Sequence, residues 1–291
     1  MQSVSFEESI KQFISTLRGE NKSEATITAY AADIRQFVLW LRENTIIATT
    51  PQQVTKADVC EYLAELAQRK NIGLTRARKL AAIREYFRYL VSIDLLVKSP
   101  AESVPTPKKE KHSRNFLSKA EYNQLLAQAG GNVRDFAVLQ LFLQTGLRVT
   151  ELCSLKLDDV DLTERLLYVR LGKGRSARTI ELEKKAMSAL KAYLKLRSAI
   201  NDPHLFLSKD NAPFSRQGIA KLVKKYIKQA QITKRISVHS LRHTFATHKV
   251  NLGISPYRLQ EWLGHTDPKT TQIYVHLAHG NALREMEATS L

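Results

Sequence analysis

The chain has 291 residues, of which 43% are hydrophobic, and carries a formal net charge of +17. This composition is typical of one large or two medium globular domains and excludes a disordered chain. No run of 18 apolar residues and no signal-peptide pattern is present, so we expect a cytoplasmic protein. The charge favours a polyanionic partner, with nucleic acid as the leading candidate and a generally basic surface as the alternative.

The positive charge is concentrated in the second part of the chain. Residues 1–103 contain 14 Lys and Arg against 12 Asp and Glu, whereas residues 104–291 contain 31 against 16. Between these parts, the segment VPTPKKEKHSR has two prolines, a lysine cluster and no apolar periodicity, which predicts a linker over 104–114. We therefore expect two domains, over 1–103 and over 115–291, of which the second is the more basic.

The N-terminal part has the apolar spacing of helices. One face between Ile27 and Leu41 is apolar, and Ser23 is its predicted N-cap. Thr55 and Asp58 have the spacing of a capping box. A third helix is predicted from about Thr75 to Leu95, and its basic residues share one sign, which favours phosphate contact over a merely solvated face. These basic residues are Arg76, Arg78, Lys79, Arg84 and Arg88.

The second part combines helices with two short strands. Ser118 and Glu121 predict a capping box, and Gly146 closes the apolar helix RDFAVLQLFLQTG. Strands are predicted at about Leu166–Leu171 and Arg178–Leu182, joined by a glycine-rich turn, and further helices follow. The expected fold class is therefore mainly α with a small antiparallel β-sheet in the C-terminal domain (α+β).

The segment HSLRHTFATH places three histidines and an arginine on one predicted helix. His239 and Arg242 share a helical face, whereas Leu241 and Phe245 have core spacing. His239 and His243 could form a metal pair, but no zincin glutamate and no nearby cysteine accompanies them. We therefore predict no metal and no cofactor.

Cleavage of a phosphodiester without a metal would need arginines for the phosphate oxygens, a nucleophile and an acid–base pair. Arg148 follows the TGL turn, Lys173 lies in the turn GKGRSAR, and His265 follows Gly264. Tyr274 lies in TTQIYVH. Taken singly, each of these residues is equally compatible with a surface or packing role.

In chain order, these motifs resemble the tyrosine recombinase (phage integrase) family, and its compact Xer-like members most closely. The resemblance covers about residues 112–280 through TGLRVTELCSLKLDDVDL, GKGRSAR and HSLRHTFATH followed by LGHTDPKTTQIYVH. The N-terminal helices resemble the core-binding domain of that family more loosely. The family pattern of Arg, Lys, His-x-x-Arg, His and Tyr is matched at six positions. These are Arg148, Lys173, His239, Arg242, His265 and Tyr274.

The resemblance implies a role for each residue. Tyr274 would attack the scissile phosphate to form a 3′-phosphotyrosyl bond, and Arg148 and Arg242 would bind the non-bridging oxygens. Lys173 would protonate the leaving 5′-oxygen, and His239 would act as acid or base beside the nucleophile. In addition, His265 would hydrogen-bond the phosphate, whereas Glu151 would orient its basic neighbours without touching DNA.

The resemblance also implies an assembly. Two domains would form a C-shaped clamp around double-stranded DNA that carries a specific recombination site. A homo-tetramer, or a mixed assembly with a related recombinase, would exchange strands between two sites through a Holliday junction. The segment after Tyr274 would dock on a neighbouring protomer or fold back on its own.

Three other functions stay open at this level. A type IB topoisomerase shares the chemistry but relaxes DNA instead of exchanging strands. A DNA-binding protein could use the same scaffold without cutting, and a metal-dependent hydrolase would need a cation. Among recombinases, the sequence is compatible with chromosome or plasmid dimer resolution, transposon cointegrate resolution and DNA integration.

Overall fold

The computed structural model describes residues 4–44, 49–108, 115–170, 177–197 and 201–264. The chain divides into two compact units, Met1–His112 and Ser113–Leu291. Helices dominate both units, and one small antiparallel sheet belongs to the second, which confirms the predicted fold class. Within the described ranges, no helix is long and apolar enough to cross a membrane.

Within the described residues, the first unit contains four α-helices that bury their apolar faces against one another. Ser23 accepts a hydrogen bond from the backbone N–H of Thr26 (3.2 Å), and Thr55 and Asp58 form the predicted capping box. These contacts satisfy N–H groups that have no partner within the helix. The helices are α1 (Phe6–Gly19), α2 (Glu24–Asn44), α3 (Lys56–Gln68) and α4 (Gly73–Ser92).

The basic residues of α4 do not share one environment, contrary to the expectation of a single phosphate-facing group. Lys79 is buried and pairs with Asp33 of α2 at 3.1 Å. Arg84 donates to the backbone carbonyls of Ala101 and Val104. The prediction of phosphate contact is therefore wrong for Lys79, because α4 lays this residue against a carboxylate of α2. Periodicity alone does not show such a partner.

The second unit contains seven described helices and a three-stranded sheet in the order β1-β2-β3. The strands are β1 (Val160–Asp161), β2 (Leu166–Val169) and β3 (Arg178–Glu181). The helices before the sheet are α5 (Lys119–Ala129), α6 (Val133–Thr145) and α7 (Val149–Ser154). Those after it are α8 (Lys184–Arg197), α9 (Arg216–Gln229), α10 (Val238–Asn251) and α11 (Pro256–Leu263).

Helix α6 lies at the centre of this unit and packs against α5, α8 and α10. Almost its entire surface is buried, as its nearly continuous apolar sequence predicts. Both predicted strands, β2 and β3, end earlier than predicted. Strand β1 is too short for its two residues to show an alternating pattern. The turn between β2 and β3 lies outside the described residues over 171–176.

A left-handed glycine fixes the direction in which the chain leaves α6. Gly146 has φ +61°, and a Cβ atom built on it would lie 2.4 Å from Cδ1 of Phe245 in α10. Only glycine combines this conformation with so close a neighbour at low cost. The turn therefore places the residues that follow Gly146 beside α10.

Candidate active site

Arg148 stands at the N-cap of α7, two residues after Gly146, and its side chain is about three-quarters buried. Its Nη1 atom donates to Oε1 of Glu151 at 2.8 Å, and its backbone N–H donates to Oε2 at 2.7 Å. The Nη2 atom donates to the carbonyl of Gly264 at 2.9 Å. These bonds fix the orientation of the guanidinium without a ligand.

Arg242 lies on α10 and is only 7% exposed. Its Nη1 atom donates to the carbonyl of Gly146 and its Nη2 atom to that of Leu263, both at 2.7 Å. Leu263 and Gly264, which accept from Arg242 and Arg148, are adjacent at the end of α11. Arg242 also binds Gly146, which precedes Arg148 by two residues. The structure thus brings together Arg148 and Arg242 at the C-terminal end of α11.

His239 occupies the first turn of α10, one helical turn before Arg242, and is exposed. Its exposure leaves the ring accessible to a ligand at the N-terminal end of α10. Farther along α10, His248 contacts the carbonyl of Leu117 at 2.9 Å and its ring approaches Tyr122. His248 therefore has a structural role.

Glu151 is the charged centre of the arginine cluster. Burial raises the pKa of its carboxyl group, but the hydrogen bonds and charges of Arg178 and Arg148 outweigh burial and lower that pKa to about 2. The carboxylate is therefore ionised at neutral pH, and it offsets part of the positive charge at the site.

Three of the six predicted residues, Lys173, His265 and Tyr274, lie outside the described residues. Within the described ranges, no group of three or more His, Cys, Asp or Glu side chains could hold a metal ion. The structure describes the other three predicted residues. Arg148 is the N-cap of α7, and His239 and Arg242 belong to α10.

Arg178 is the residue of this cluster that the sequence interpretation missed. It lies two residues before the buried Ile180 on β3 and therefore on the same face of the strand. A charged residue at an inward-facing strand position was the available signal. Recognising this signal requires knowing which residues of β3 face inward. The glycine-rich turn directly before β3 makes that register hard to predict from the sequence.

Comparison with known proteins identifies the family. A model described as "Phage integrase family" matches residues 115–280, and one described as "Phage integrase, N-terminal SAM-like domain" matches residues 10–93. The chain belongs to the phage integrase family. It is thus a tyrosine recombinase, an enzyme that transfers DNA strands in site-specific recombination, which confirms the resemblance read from its motifs.

Curated relatives of this recombinase resemble it over most of their length. Tyrosine recombinase XerD of Bifidobacterium longum is 36% identical over 271 residues, which cover 87% of each chain. Tyrosine recombinase XerC of Bacillus subtilis is 33% identical over 282 residues, which cover 92% of this chain and 91% of the relative.

Solved structures have the same fold. The XerA recombinase is 32% identical, covers 97% of each chain and gives a TM-score of 0.57. A lambda integrase tetramer bound to a Holliday junction is 18% identical and gives a TM-score of 0.78, covering 94% of this recombinase and 78% of that chain. At 18% identity, the second likeness supports the fold alone.

Proposed function

We propose that Arg148 and Arg242 of this recombinase bind the scissile phosphate of DNA. The observation that carries this proposal is their convergence at the C-terminal end of α11, on the carbonyls of Leu263 and Gly264. A guanidinium remains charged at all relevant pH values and offers paired donors that match phosphate oxygens. Orienting both groups in advance reduces the reorganisation needed when charge develops in the transition state.

In the proposed cleavage step, the hydroxyl oxygen of Tyr274 attacks the phosphorus in line. A bond forms between that oxygen and phosphorus, and the bond from phosphorus to the 5′-oxygen of the next nucleotide breaks. Lys173 gives its proton to the leaving 5′-oxygen, and a base takes the proton of the tyrosine hydroxyl. The number of phosphodiester bonds is conserved, so the step needs no ATP, and in this proposal the two arginines and Lys173 supply the charge that a metal ion would otherwise provide.

The two histidines complete this arrangement. His239 is exposed in the first turn of α10, one turn from Arg242, and we assign it the acid–base role beside Tyr274. His265 is next in sequence to Gly264, whose carbonyl binds Arg148, and we assign it a hydrogen bond to the phosphate. Strand exchange follows when a 5′-hydroxyl of a second duplex attacks the phosphotyrosyl bond and releases the tyrosine.

The DNA-binding roles of the two units follow from their charge. The second part of the chain carries most of the net positive charge and would supply most of the salt-dependent affinity. Helices of the N-terminal domain, over 1–103, would lie at the major groove and contribute to recognition of the site. We propose that both domains bind specific double-stranded DNA in the cytoplasm.

The proposed working assembly is a tetramer on two DNA sites. The lambda integrase tetramer on a Holliday junction shares the fold of this chain, which supports this assembly. A homo-tetramer is the simplest case, and a mixed assembly with a related recombinase is the alternative. Dimer resolution, cointegrate resolution and integration all use the same strand-exchange chemistry and differ in the arrangement of sites.

Covalent trapping tests the proposal. Purified protein is incubated in EDTA with sheared genomic DNA of its source. The reaction is stopped with detergent, and the DNA fragments attached covalently to the protein are sequenced. The recovered site is then placed in a nicked suicide duplex and treated with wild type, Tyr274→Phe and Lys173→Ala. We expect an EDTA-resistant adduct with wild type that Tyr274→Phe does not form and that Lys173→Ala forms slowly.

The other functions give different results in the same experiment. A type IB topoisomerase would relax a supercoiled plasmid but form no Holliday junction from two sites. A DNA-binding protein without catalysis would retain the duplex and form no adduct. Loss of cleavage in EDTA would identify a metal-dependent hydrolase and contradict the proposed mechanism.

A further inference from the structure

Arg178 is an arginine of the second unit to which the proposed chemistry gives no role. It begins β3, pairs with Val169 of β2 in the sheet register, and has a side chain that is 9% exposed. Burying a guanidinium is costly unless hydrogen bonds and an opposite charge compensate for the lost water. The contacts of this side chain therefore show what it holds in place.

The first contact of Arg178 is a bidentate pair with Glu151. Nη2 lies 2.8 Å from Oε2, and Nη1 lies 3.1 Å from Oε1. Arg148 binds the same two oxygens through its Nη1 atom and its backbone N–H. One carboxylate thus binds two guanidiniums, and its negative charge is shared between Arg148 and Arg178.

The second contact of Arg178 is with the end of α11, where Nε donates to the carbonyl of Trp262 at 2.8 Å. Arg242 binds the next carbonyl, of Leu263, and Arg148 binds the one after it, of Gly264. The last carbonyls of a helix have no partner within the helix and carry its negative dipole end, so cations are favourable there. Three arginines from β3, α10 and α7 therefore bind three consecutive carbonyls.

The backbone at Gly264 restricts how Arg178 can pack against the end of α11. Gly264 adopts φ +60°, and a Cβ atom built on it would lie 2.9 Å from Nη1 of Arg178. A side chain at this position would push against the guanidinium and strain the backbone at the same time. Glycine here allows the end of α11 to lie directly on Arg178.

From these contacts we infer that Arg178 is a positioning residue for DNA cleavage. It fixes the Glu151 carboxylate that orients Arg148, and it fixes the end of α11 that Arg148 and Arg242 both bind. Arg178 itself does not contact the phosphate. This inference rests on the proposed function, because it assigns Arg148 and Arg242 to the scissile phosphate.

The role predicts a loss of rate without a loss of DNA affinity. Misplacement of a reacting group by about 1 Å costs on the order of a hundredfold in rate. We therefore expect Arg178→Gln to lower the cleavage rate at saturating DNA by about 10- to 100-fold. The concentration that gives half-saturation should change by less than about twofold, because Arg178 contributes no phosphate contact.

The test uses single-turnover cleavage of the suicide duplex by wild type, Arg178→Gln, Arg178→Lys and Tyr274→Phe. Arg178→Lys keeps the charge but cannot make all three contacts, so its rate should fall between those of wild type and Arg178→Gln. The matched control is Arg134→Gln, which removes an arginine from a 2.8 Å pair with the buried Asp135 at the start of α6. Thermal unfolding of each variant accompanies the rates.

A double-mutant cycle then links Arg178 to its proposed target. Glu151→Gln and Arg178→Gln act on the same arrangement, so the rate loss of the double variant relative to wild type should be much smaller than the product of the two single losses. Independent effects that multiply would contradict the inference. An unchanged saturated rate in Arg178→Gln would also overturn it.

Other outcomes are equally decisive. If Arg178→Gln raises the half-saturating concentration and leaves the rate unchanged, Arg178 is a DNA contact and the inference is wrong. If Arg134→Gln slows cleavage as much as Arg178→Gln at equal loss of thermal stability, the effect is general and the inference fails. Should Arg178→Gln not fold, Arg178→Lys decides by the same criteria. Absence of an adduct with wild type would instead reject the proposed function.

Discussion

Each unit of the recombinase contains a buried carboxylate that lies between two cations, Asp33 in the first and Glu151 in the second, and these two clusters differ in what else the cations bind. In the first unit, Asp33 of α2 binds Arg78 and Lys79, neighbours on α4, and the Arg78 side chain remains 48% exposed. In the second unit, Glu151 binds Arg148 and Arg178 from different elements, and both arginines also bind the backbone of α11.

This difference separates two uses of buried charge. The Asp33 cluster joins two helices and leaves one guanidinium turned toward solvent. The Glu151 cluster fixes the directions of its guanidiniums, because each is bound at both a carboxylate and a carbonyl. We therefore expect changes in the first cluster to affect stability, and changes in the second to affect cleavage.

The largest effect is expected from leaving a buried charge without its partner in the first cluster. Asp33→Leu leaves Lys79 buried without a carboxylate, and we expect the free energy of unfolding to fall by about 3–5 kcal/mol. Adding Lys79→Met should recover most of this loss, because the pair is then replaced by apolar groups. Urea unfolding measures both variants, and failure of the second change to restore stability would contradict this assignment.

In the second cluster, Arg148→Lys should lower the cleavage rate at saturating DNA by about a hundredfold, or about 2.7 kcal/mol in the activation free energy. Lysine keeps the charge but not the paired donors that bind Glu151, Gly264 and a phosphate together. The matched change in the first cluster, Arg78→Lys, should alter that rate by less than about threefold. Equal rate losses would erase the distinction between the clusters.

Gly146→Ala tests the backbone on which the second cluster is built. The added Cβ would lie 2.4 Å from Phe245, in a conformation that L-residues adopt only with strain. We expect the free energy of unfolding to fall by about 2–3 kcal/mol. Gly131→Ala is the control, since a Cβ at Gly131 meets no atom within 4 Å. Similar unfolding curves for the two variants would show that α10 moves aside freely.

The smallest effect concerns pH. The pKa of Glu151 is lowered from 4.5 to about 2, so its contribution to stability is complete above about pH 4.5 and is lost as pH falls toward 2. The difference in unfolding free energy between wild type and Glu151→Gln should therefore shrink by about 1 kcal/mol between pH 5 and pH 3.5. A difference that stays constant over this range would show that Glu151 is not held by its arginines.

Local chemistry made much of the fold predictable. The Ser23 and Thr55 caps and the Gly146 stop follow from side chains that bind or permit nearby backbone, so a short window of sequence contains the whole cause. Burial of Lys79 and Arg178 depends instead on partners 46 and 27 residues away, at Asp33 and Glu151. Such pairing requires knowledge of tertiary packing.

The candidate site divides in the same way. Motif order pointed to Arg148 and Arg242, and the structure brings these two together. Nothing in the motifs indicates that the end of α11 is their common acceptor, because a helix exposes its last carbonyls whatever its sequence. The importance of Trp262, Leu263 and Gly264 lies in their backbone, which residue identity does not reveal.

The bonds at the end of α11 also have a consequence for folding order. They join Arg178 to Trp262 and Arg148 to Gly264, which are 84 and 116 positions apart, and Arg242 also binds Gly146 after α6, 96 positions away. Contacts that close such long loops have a large entropic cost and form late. A chain still emerging from the ribosome, or one cut before α11, therefore has no assembled arginine pair. The proposed ability to cut DNA therefore arises only when folding has placed the end of α11 against the arginines.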